Sequence, residues 1–317
     1  MGERLIVTAI VVTWNSAAHL ERCLDAIAAQ TMRCELIVVD NASTDDSVAI
    51  ATRYAAKLIS NPTNLGFAAA VNQGIAASSG RFVQLVNPDC FLAPDYCERL
   101  IPVFDGDQVG MATGKLLRAD HPTIIDSRGI RMTRSGRHLD IDQGALDGVK
   151  SEDVTPSEVF GVSGAAAMYS REFLDDVAVD GEAFDSDFFA YREDADLSWR
   201  GRIFGWRAMY VPGVVAHHVR RVTPDRRRSL PPFINMHSVK NRFLLRLKNE
   251  SWYLALRNLP FEILRDIITI AAVLTIERSS LPAFGWLWRN RKRIASKRRA
   301  IQNRRRVSDA AIARWFR

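Results

Sequence analysis

Three times before residue 80 the chain repeats one unit: a short β-branched apolar run, a polar loop, then a segment with apolar residues at helical spacing. Leu5 to Val12 leads through Thr13-Trp14-Asn15-Ser16 into Ala17 to Gln30, where Leu20, Leu24 and Ile27 share a helical face. Leu36 to Val39 leads through Asp40-Asn41-Ala42-Ser43-Thr44-Asp45 into Ser47 to Lys57. Leu58 to Asn61 leads through Asn64-Leu65-Gly66-Phe67 into Ala68 to Ser78, which stops at Gly80, a helix-terminating residue. Strands alternating with helices at this spacing predict an α/β fold with a doubly wound, mostly parallel sheet. Right-handed crossovers place every loop that follows a strand on one rim. The polar loops should therefore converge where open α/β sheets take their ligands.

A fourth apolar run, Phe82 to Val86, reads as a buried strand, and Asn87-Pro88 ends it because proline cannot continue a ladder. Asp89 is left at the mouth of the sheet. Its carboxylate can hold Mg²⁺ or Mn²⁺, hard cations that bridge to phosphates, or it can cap an ordinary Asn-Pro-Asp turn. Asp40 to Asp45 is likewise open: Ser43, Thr44 and Asp45 suit a helix N-cap, and Asp40 suits a base N–H or a ribose hydroxyl. No G-x-G-x-x-G or G-x-x-x-x-G-K-[ST] is present, so neither a dinucleotide fold nor a P-loop is indicated.

Four cysteines, Cys23, Cys34, Cys90 and Cys97, lack C-x-x-C spacing. That argues against a zinc site or a disulfide framework and for a reducing, cytosolic setting. Residues 1–7 lack the features of a signal peptide, and no apolar run reaches the ~18 residues of a spanning helix.

From Ala119 to Ser157 the periodicity is lost, and a long loop or small subdomain over the rim is expected. Val159 to Tyr169 reads as one small-residue strand whose Gly161 and Gly164 would let a ligand approach the backbone. Glu193, Asp194 and Asp196 open a helix. Acids are favoured there by the helix dipole, and one of them can equally be a general base for a hydroxyl. Gly205 to Pro212 resembles an edge strand. His217 and His218 follow it, either of them able to complete a metal site.

Taken in order, Val12-Thr13-Trp14-Asn15, Val39 to Asp45, Asn61 to Asn72, Asn87-Pro88-Asp89 and Glu193-Asp194-Ala195-Asp196-Leu197 resemble the motifs of family-2 glycosyltransferases of the GT-A fold. His218 to Pro224 and Lys240-Asn241-Arg242 resemble its rhamnosyltransferase branch, which acts on lipid-linked sugars in bacterial cell-envelope polysaccharide synthesis. The resemblance implies an inverting, metal-dependent transfer from a nucleotide diphosphate sugar to a polyprenyl-diphosphate-linked glycan, with dTDP-L-rhamnose as the donor the branch points to. It implies a donor site of Thr13, Trp14, Asn15, Asp40, Asn41, Ser43, Asn64, Gly66, Asn87 and Asp89, with Asp40 at the base. It implies Mg²⁺ or Mn²⁺ on Asp89 and His218, Asp194 as general base with Glu193 beside it, and Gly164, Asp196 and Arg200 on the acceptor side. Asn87 replaces the first acid of the family's D-x-D. A sugar-1-phosphate nucleotidyltransferase would need a Gly-rich basic loop where Thr13-Trp14-Asn15-Ser16 stands. A non-catalytic scaffold would not need Asp89 or the Glu193-Asp194 pair.

The expected organisation is a catalytic domain over 1–250, with a nucleotide-binding half 1–118 and an acceptor half 119–250, and a helical extension over 251–317. The formal net charge of +7 is concentrated in that extension, where Trp286, Trp288, Trp315 and Phe316 lie among arginines and lysines from Arg289 to Arg306. Such a composition suits an interfacial helix on an anionic membrane surface, each basic residue being worth about 1 kcal/mol. The expected location is thus peripheral, on the inner face of the cell membrane, with no nucleic acid as partner. The apolar segment Phe261 to Ile276 is expected at the membrane, in the core or at a homodimer contact.

Overall fold

The computed structural model describes residues 6–54, 57–148, 155–220 and 231–317. Leu5 and Arg221-Val222-Thr223-Pro224, used in the readings above, lie outside them. Strands β1 (Val7–Thr13), β2 (Glu35–Asp40), β3 (Lys57–Ser60) and β4 (Phe82–Val86) run parallel in the order β3-β2-β1-β4. Helices α1 (Ala17–Ala28), α2 (Ser47–Thr52) and α3 (Phe67–Ala77) connect them. Every residue of β1 is buried, which is why its sequence is continuously apolar rather than alternating. Thr13 pairs with Asp40, and Asp40 with Ser60, so the loops after these strands leave from one level.

Beyond β4 come β5 (Cys90–Leu92), α4 (Tyr96–Leu100) and β6 (Val109–Arg118). Between residues 119 and 157 the chain forms β7 (Ile125–Ser127) and a hairpin of β8 (Ile130–Met132) and β9 (His138–Asp140). Then follow β10 (Ser157–Val159), β11 (Ala166–Ser170), α5 (Arg171–Val177), α6 (Glu193–Ile203) and β12 (Arg207–His218). β11 lies between β4 and β6 and is antiparallel to both, which makes the sheet mixed.

Two strand expectations are corrected. Val159 to Tyr169 is not one strand: β10 and β11 are separated by a loop, and a Cβ on Gly161 would come within 2.2 Å of Ser198 Oγ. Gly161 therefore admits α6 rather than a ligand. Gly205 to Pro212 is not an edge strand either. It opens β12, which lies inside the sheet between β10 and β6. Pro212 is tolerated because the register slips between Val211 and Val215, where no ladder donor is required.

The C-terminal helices are α7 (Pro232–Asn249), α8 (Trp252–Thr275), α9 (Pro282–Arg289), α10 (Arg291–Asn303) and α11 (Asp309–Ala313). They do not stand apart from the sheet. Ile294, Ile301, Ile312 and Phe316 belong to the same apolar core as Ile10, Val39, Leu85 and Trp199. Phe316 packs its ring 4.9 Å from that of Trp199 and 6.0 Å from that of Phe160.

A buried ionic cluster ties α6, α7 and α10 together. Asp196 accepts from Arg200 Nε at 3.0 Å, from Lys248 Nζ at 3.0 Å and from Asn249 Nδ2 at 2.7 Å. Lys248 also pairs with Asp185, and Lys297 bridges Asp185 at 2.6 Å and Asp187 at 3.0 Å. Burial alone would raise the Asp185 carboxyl, but Lys248 and Lys297 hold it well below the usual carboxylate range.

Removing one partner leaves a buried charge uncompensated, which costs about 3–5 kcal/mol. Lys248→Ala should lower unfolding free energy by about that amount in urea titration, whereas Arg291→Ala, on the exposed start of α10, should change it by less than about 0.5 kcal/mol.

Candidate active site

The loops at the ends of β1, β2 and β3 meet as the topology requires. Asn15 and Ser43 join the first two: Asn15 N donates to Ser43 Oγ at 3.0 Å, and Thr44 N donates to Asn15 Oδ1 at 2.8 Å. An amide chain joins the third. Asn61 Nδ2 donates to Asn41 Oδ1 at 3.0 Å, and Asn41 Nδ2 donates to the Gly66 carbonyl at 3.1 Å.

Over this rim lies a cavity of about 250 Å³ bounded by Trp14, Asn41, Asn64, Asn87 and Asp89 on the sheet side. Phe189, Tyr191, Phe233 and His237 close the other side. The aromatic rings form a set: Phe189 stacks on His237 at 4.6 Å between centroids, and Phe233 stands edge-on to Trp14 at 6.4 Å. Flat apolar walls with amide groups beside them suit a planar heterocycle. A second cavity, of about 560 Å³, shares Asn87, Asp89 and Tyr191 with the first and extends to Gly164, Glu193, Asp194 and His218.

Not every donor-site expectation lines the first cavity. Asp40 is buried and accepts from Ser43 N at 3.2–3.3 Å, so it shapes its loop instead of facing a base. Thr13 is fully buried, and Asn15, Ser43 and Gly66 hold the loops together from outside the lining. Gly66 has φ +89, and a Cβ there would meet the Phe189 ring at 2.6 Å. On the acceptor side, Gly164 lines the larger cavity, but Asp196 and Arg200 do not. Both belong to the buried ionic cluster. Helical spacing turns Asp196 half a turn away from Asp194, into the α6–α7 interface.

Asp194 is held in place. Gly164 N donates to its Oδ2 at 3.1 Å and Ala195 N to its Oδ1 at 2.7 Å. Glu193 is buried, with one carboxylate oxygen lacking a hydrogen-bond partner among the described residues. Burial pushes both carboxyls up; Glu193, beside Asp194, is pushed up to about 8.

The pair is presented by a strained turn. Phe189, Tyr191 and Arg192 all have left-handed backbones, with φ of 65, 69 and 73. Each such residue costs on the order of 1–3 kcal/mol unless its surroundings fix it. Asn241 of α7 does so: its Nδ2 lies 2.8 Å from the carbonyls of Phe188, Ala190 and Tyr191. The Phe189 carbonyl accepts from Ala68 N at 3.2 Å.

Across the larger cavity, His218 lies between two carboxylates, with Nδ1 2.8 Å from Asp126 and Nε2 3.5 Å from Asp89. Burial alone would lower it, but these two hydrogen bonds push it up to about 9. Arg220 bridges Asp126 at 2.9 Å and Asp140 at 2.6 Å. His217 points elsewhere: it pairs within the sheet with Phe91 and does not line the cavity. Among the described residues no three His, Cys, Asp or Glu side chains converge as a metal site. Asp89 fits a cation that takes its remaining ligands from a diphosphate and water, as Mg²⁺ commonly does, and His218 could join it only by giving up the proton that Nε2 shares with Asp89.

Asp126, Asp140, Phe189, Phe233 and His237 were not anticipated from the sequence. The aromatic residues carried a usable signal, in Phe188-Phe189-Ala190-Tyr191 and Pro231-Pro232-Phe233. Asp126 and Asp140 sit in the stretch without periodicity, and only folding brings them to the rim. A larger cavity, of about 1020 Å³, lies at the other end of the sheet. There Arg171 is bound to the carbonyls of Ile75, Ser78 and Gly80, and among the described residues no pair of carboxylates lines it.

Residues 8–178, more than half the chain, match the family described as glycosyl transferase family 2. The chain belongs to that family. It is therefore a glycosyltransferase. It is 28% identical over 237 residues to the N-acetylglucosaminyl-diphospho-decaprenol L-rhamnosyltransferase of Mycobacterium tuberculosis; the match covers 67% of this chain and 76% of that one. The fold is GT-A. A mannosyltransferase from Pyrobaculum calidifontis, solved in complex with GDP-Man and Mn²⁺, superposes with a TM-score of 0.55 at 19% identity, covering 98% of this chain and 85% of that one. S. aureus TarS 1-349 in complex with UDP-GlcNAc gives 0.54 at 15% identity, covering 93% and 88%.

Without Asn241 the turn before Glu193 would lose the donor that fixes it. Asn241→Ala should lower kcat on the order of 10–100-fold, a loss typical of a misplaced reacting group, in a protein whose circular dichroism is unchanged. Asn241→Asp should not restore it, because a carboxylate would face three carbonyls.

Proposed function

We propose that this glycosyltransferase catalyses inverting transfer of a sugar, L-rhamnose from dTDP-L-rhamnose in the first instance, to a hydroxyl of a polyprenyl-diphosphate-linked glycan. The observation that carries this reading is that Asp89 and Asp194 line one cavity, continuous with the aromatic pocket beside Trp14. The nucleotide base lies among Trp14, Phe189 and Phe233, with the amides of Asn41 and Asn64 for its polar edge. Residues up to 118 supply most of this donor half, and residues from 119 to 250 the acceptor half. The identity of the M. tuberculosis relative supports the choice of donor and of acceptor class.

Asp194 is the general base. It takes the acceptor hydroxyl proton as that oxygen attacks the anomeric carbon, and the bond from that carbon to the diphosphate oxygen breaks on the other face. The backbone N–H groups of Gly164 and Ala195 keep both Asp194 oxygens aimed during this step. Glu193 keeps a proton near neutral pH and so does not compete for the acceptor. Asp89, joined by His218 once its Nε2 has given up the shared proton, would hold Mg²⁺ or Mn²⁺, which supplies charge neutralisation to the departing diphosphate when bound. The acceptor class puts the reaction at the inner face of the cell membrane; among the described residues no helix is long and apolar enough to cross it.

Asp194→Asn should abolish transfer while leaving donor affinity by calorimetry within about threefold of wild type. Surviving turnover would remove Asp194 as base. In the same calorimetry, donor binding should depend on Mn²⁺ or Mg²⁺ and should be lost in Asp89→Ala.

The raised carboxyl pair also sets a pH dependence. The base must be ionised, so kcat/KM should rise with pH along a limb that lies above the ~4 of an ordinary aspartate. Stability moves the opposite way. Between the ordinary 4.5 of glutamate and about 8, the folded state holds a proton on Glu193 that the unfolded chain has lost. Stability from this group is complete below that window and declines as pH rises through it.

A further inference from the structure

α8 is built inside out for a helix on a water-soluble protein. Its buried residues, Leu254, Asn258, Glu262 and Val273, form one narrow stripe, half of it polar. Ionic and polar contacts hold that stripe to the body: Arg246 of α7 pairs with Glu262 at 3.2 Å and with Asp266 at 2.5 Å, and Asn258 accepts from Arg134 at 3.4 Å. The apolar residues point outward instead. Trp252 is 79% exposed, Leu256 70%, Leu264 62%, Ile267 59% and Ile276, just past the helix, 72%. Over its 24 residues the helix is roughly 36 Å long, and no described residue covers this face. An apolar patch of this extent marks a surface with a partner.

We propose that the outer face of α8 docks in plane on an anionic lipid surface. Charge decides between lipid and a second copy of the chain. From Trp252 to Lys292 every exposed charged residue is basic: Arg257, Arg278, Arg289, Arg291 and Lys292. An anionic headgroup layer complements that set, whereas a two-fold contact through the same face would bring like charges together. Trp252, Tyr253 and Trp288 are exposed, as aromatic residues are at the boundary between acyl chains and headgroups. The docking element is thus the apolar helix. Half of the basic tail expected to serve that purpose is engaged within the protein, and the rest adds charge beside the helix: Arg304 and Arg306 pair with Asp176, Arg293 and Lys297 with Asp187, and Arg305 with Asp309.

The same contacts connect the docked helix to the catalytic cavity. His138 and Asp140 of the β8–β9 hairpin line that cavity, and the hairpin turn reaches α8. There Arg134 donates to the Arg257 carbonyl at 3.0 Å and lies 4.1 Å from the centre of the Phe261 ring. A docked α8 would hold the cavity beside the surface that carries a lipid-linked acceptor. This use rests on the reaction proposed above; the docking itself does not.

The test is co-sedimentation of the full chain with vesicles of phosphatidylglycerol and phosphatidylethanolamine, against vesicles of phosphatidylcholine alone. Wild type should bind the anionic vesicles more tightly. Leu256→Glu/Leu264→Glu/Ile267→Glu should lose roughly tenfold or more of that affinity, with melting temperature and donor calorimetry unchanged. The corresponding triple serine variant covers the case in which the acidic one misfolds. Vesicle binding by these variants equal to wild type would overturn the proposal. So would a wild type that ignores vesicles but sizes as a dimer, with the variants monomeric, since a second copy would then cover the face. Vesicle binding without donor binding would remove the proposed reaction and leave the docking intact.

Discussion

The buried carboxylate of Asp196 is the contact on which the arrangement of this protein depends. It has lost its water, so it must be neutralised, and Arg200, Lys248 and Asn249 meet it from α6 and α7. Asp185 and Asp187 extend the cluster to Lys297 of α10. Hydrophobic contacts alone would let these helices slide over one another. A set of buried charges admits far fewer arrangements, because any slip leaves one unpaired. Two residues before Asp196, on the same helix, is Asp194. The register that satisfies the first carboxylate therefore presents the second to the cavity.

That coupling explains why the turn before Glu193 can be strained. Consecutive left-handed residues before Glu193 would relax in a free loop. Here Asn241 stands on a helix fixed by Lys248 and Asn249 and grips the turn by its carbonyls. Gly66 receives Phe189 from the other side, where a Cβ would not fit. The rim loops, the Glu193-Asp194 pair and the C-terminal helices form one connected structure, so the division of the chain near residue 250 is not a division of the core.

The electrostatics follow from the same geometry. Burial at the helix start raises both acids, Glu193 further because Asp194 lies beside it, and Asp194 has the backbone donors that favour its charged form. Opposite them, His218 is raised because two carboxylates outweigh its burial. The cavity thus has a wall of raised carboxyls and, opposite it, a histidine held between two carboxylates.

The sequence by itself determined the parallel half of the sheet, because strands buried on both faces must be continuously apolar and each ends in a loop on one rim. It also placed Asp89, Asn87, Trp14, Asn41 and Asn64 at that rim and Asp194 at the start of a helix. What it left undecided were matters of partnership between distant residues. Asp194 and Asp196 look alike along the chain, and only the packing of α6 against α7 makes one a cavity residue and the other an internal counter-ion. Gly161 and Gly164 look alike too, and only the position of Ser198 separates a packing glycine from a lining one. The tail reads as a basic membrane anchor because composition does not reveal which arginines find carboxylates. Tertiary structure paired many of them with Asp176, Asp187 and Asp309 and turned the apolar side of α8 outward. The reason is physical: burial and ion pairing are properties of contacts between segments far apart in sequence, whereas strand and helix periodicity is local.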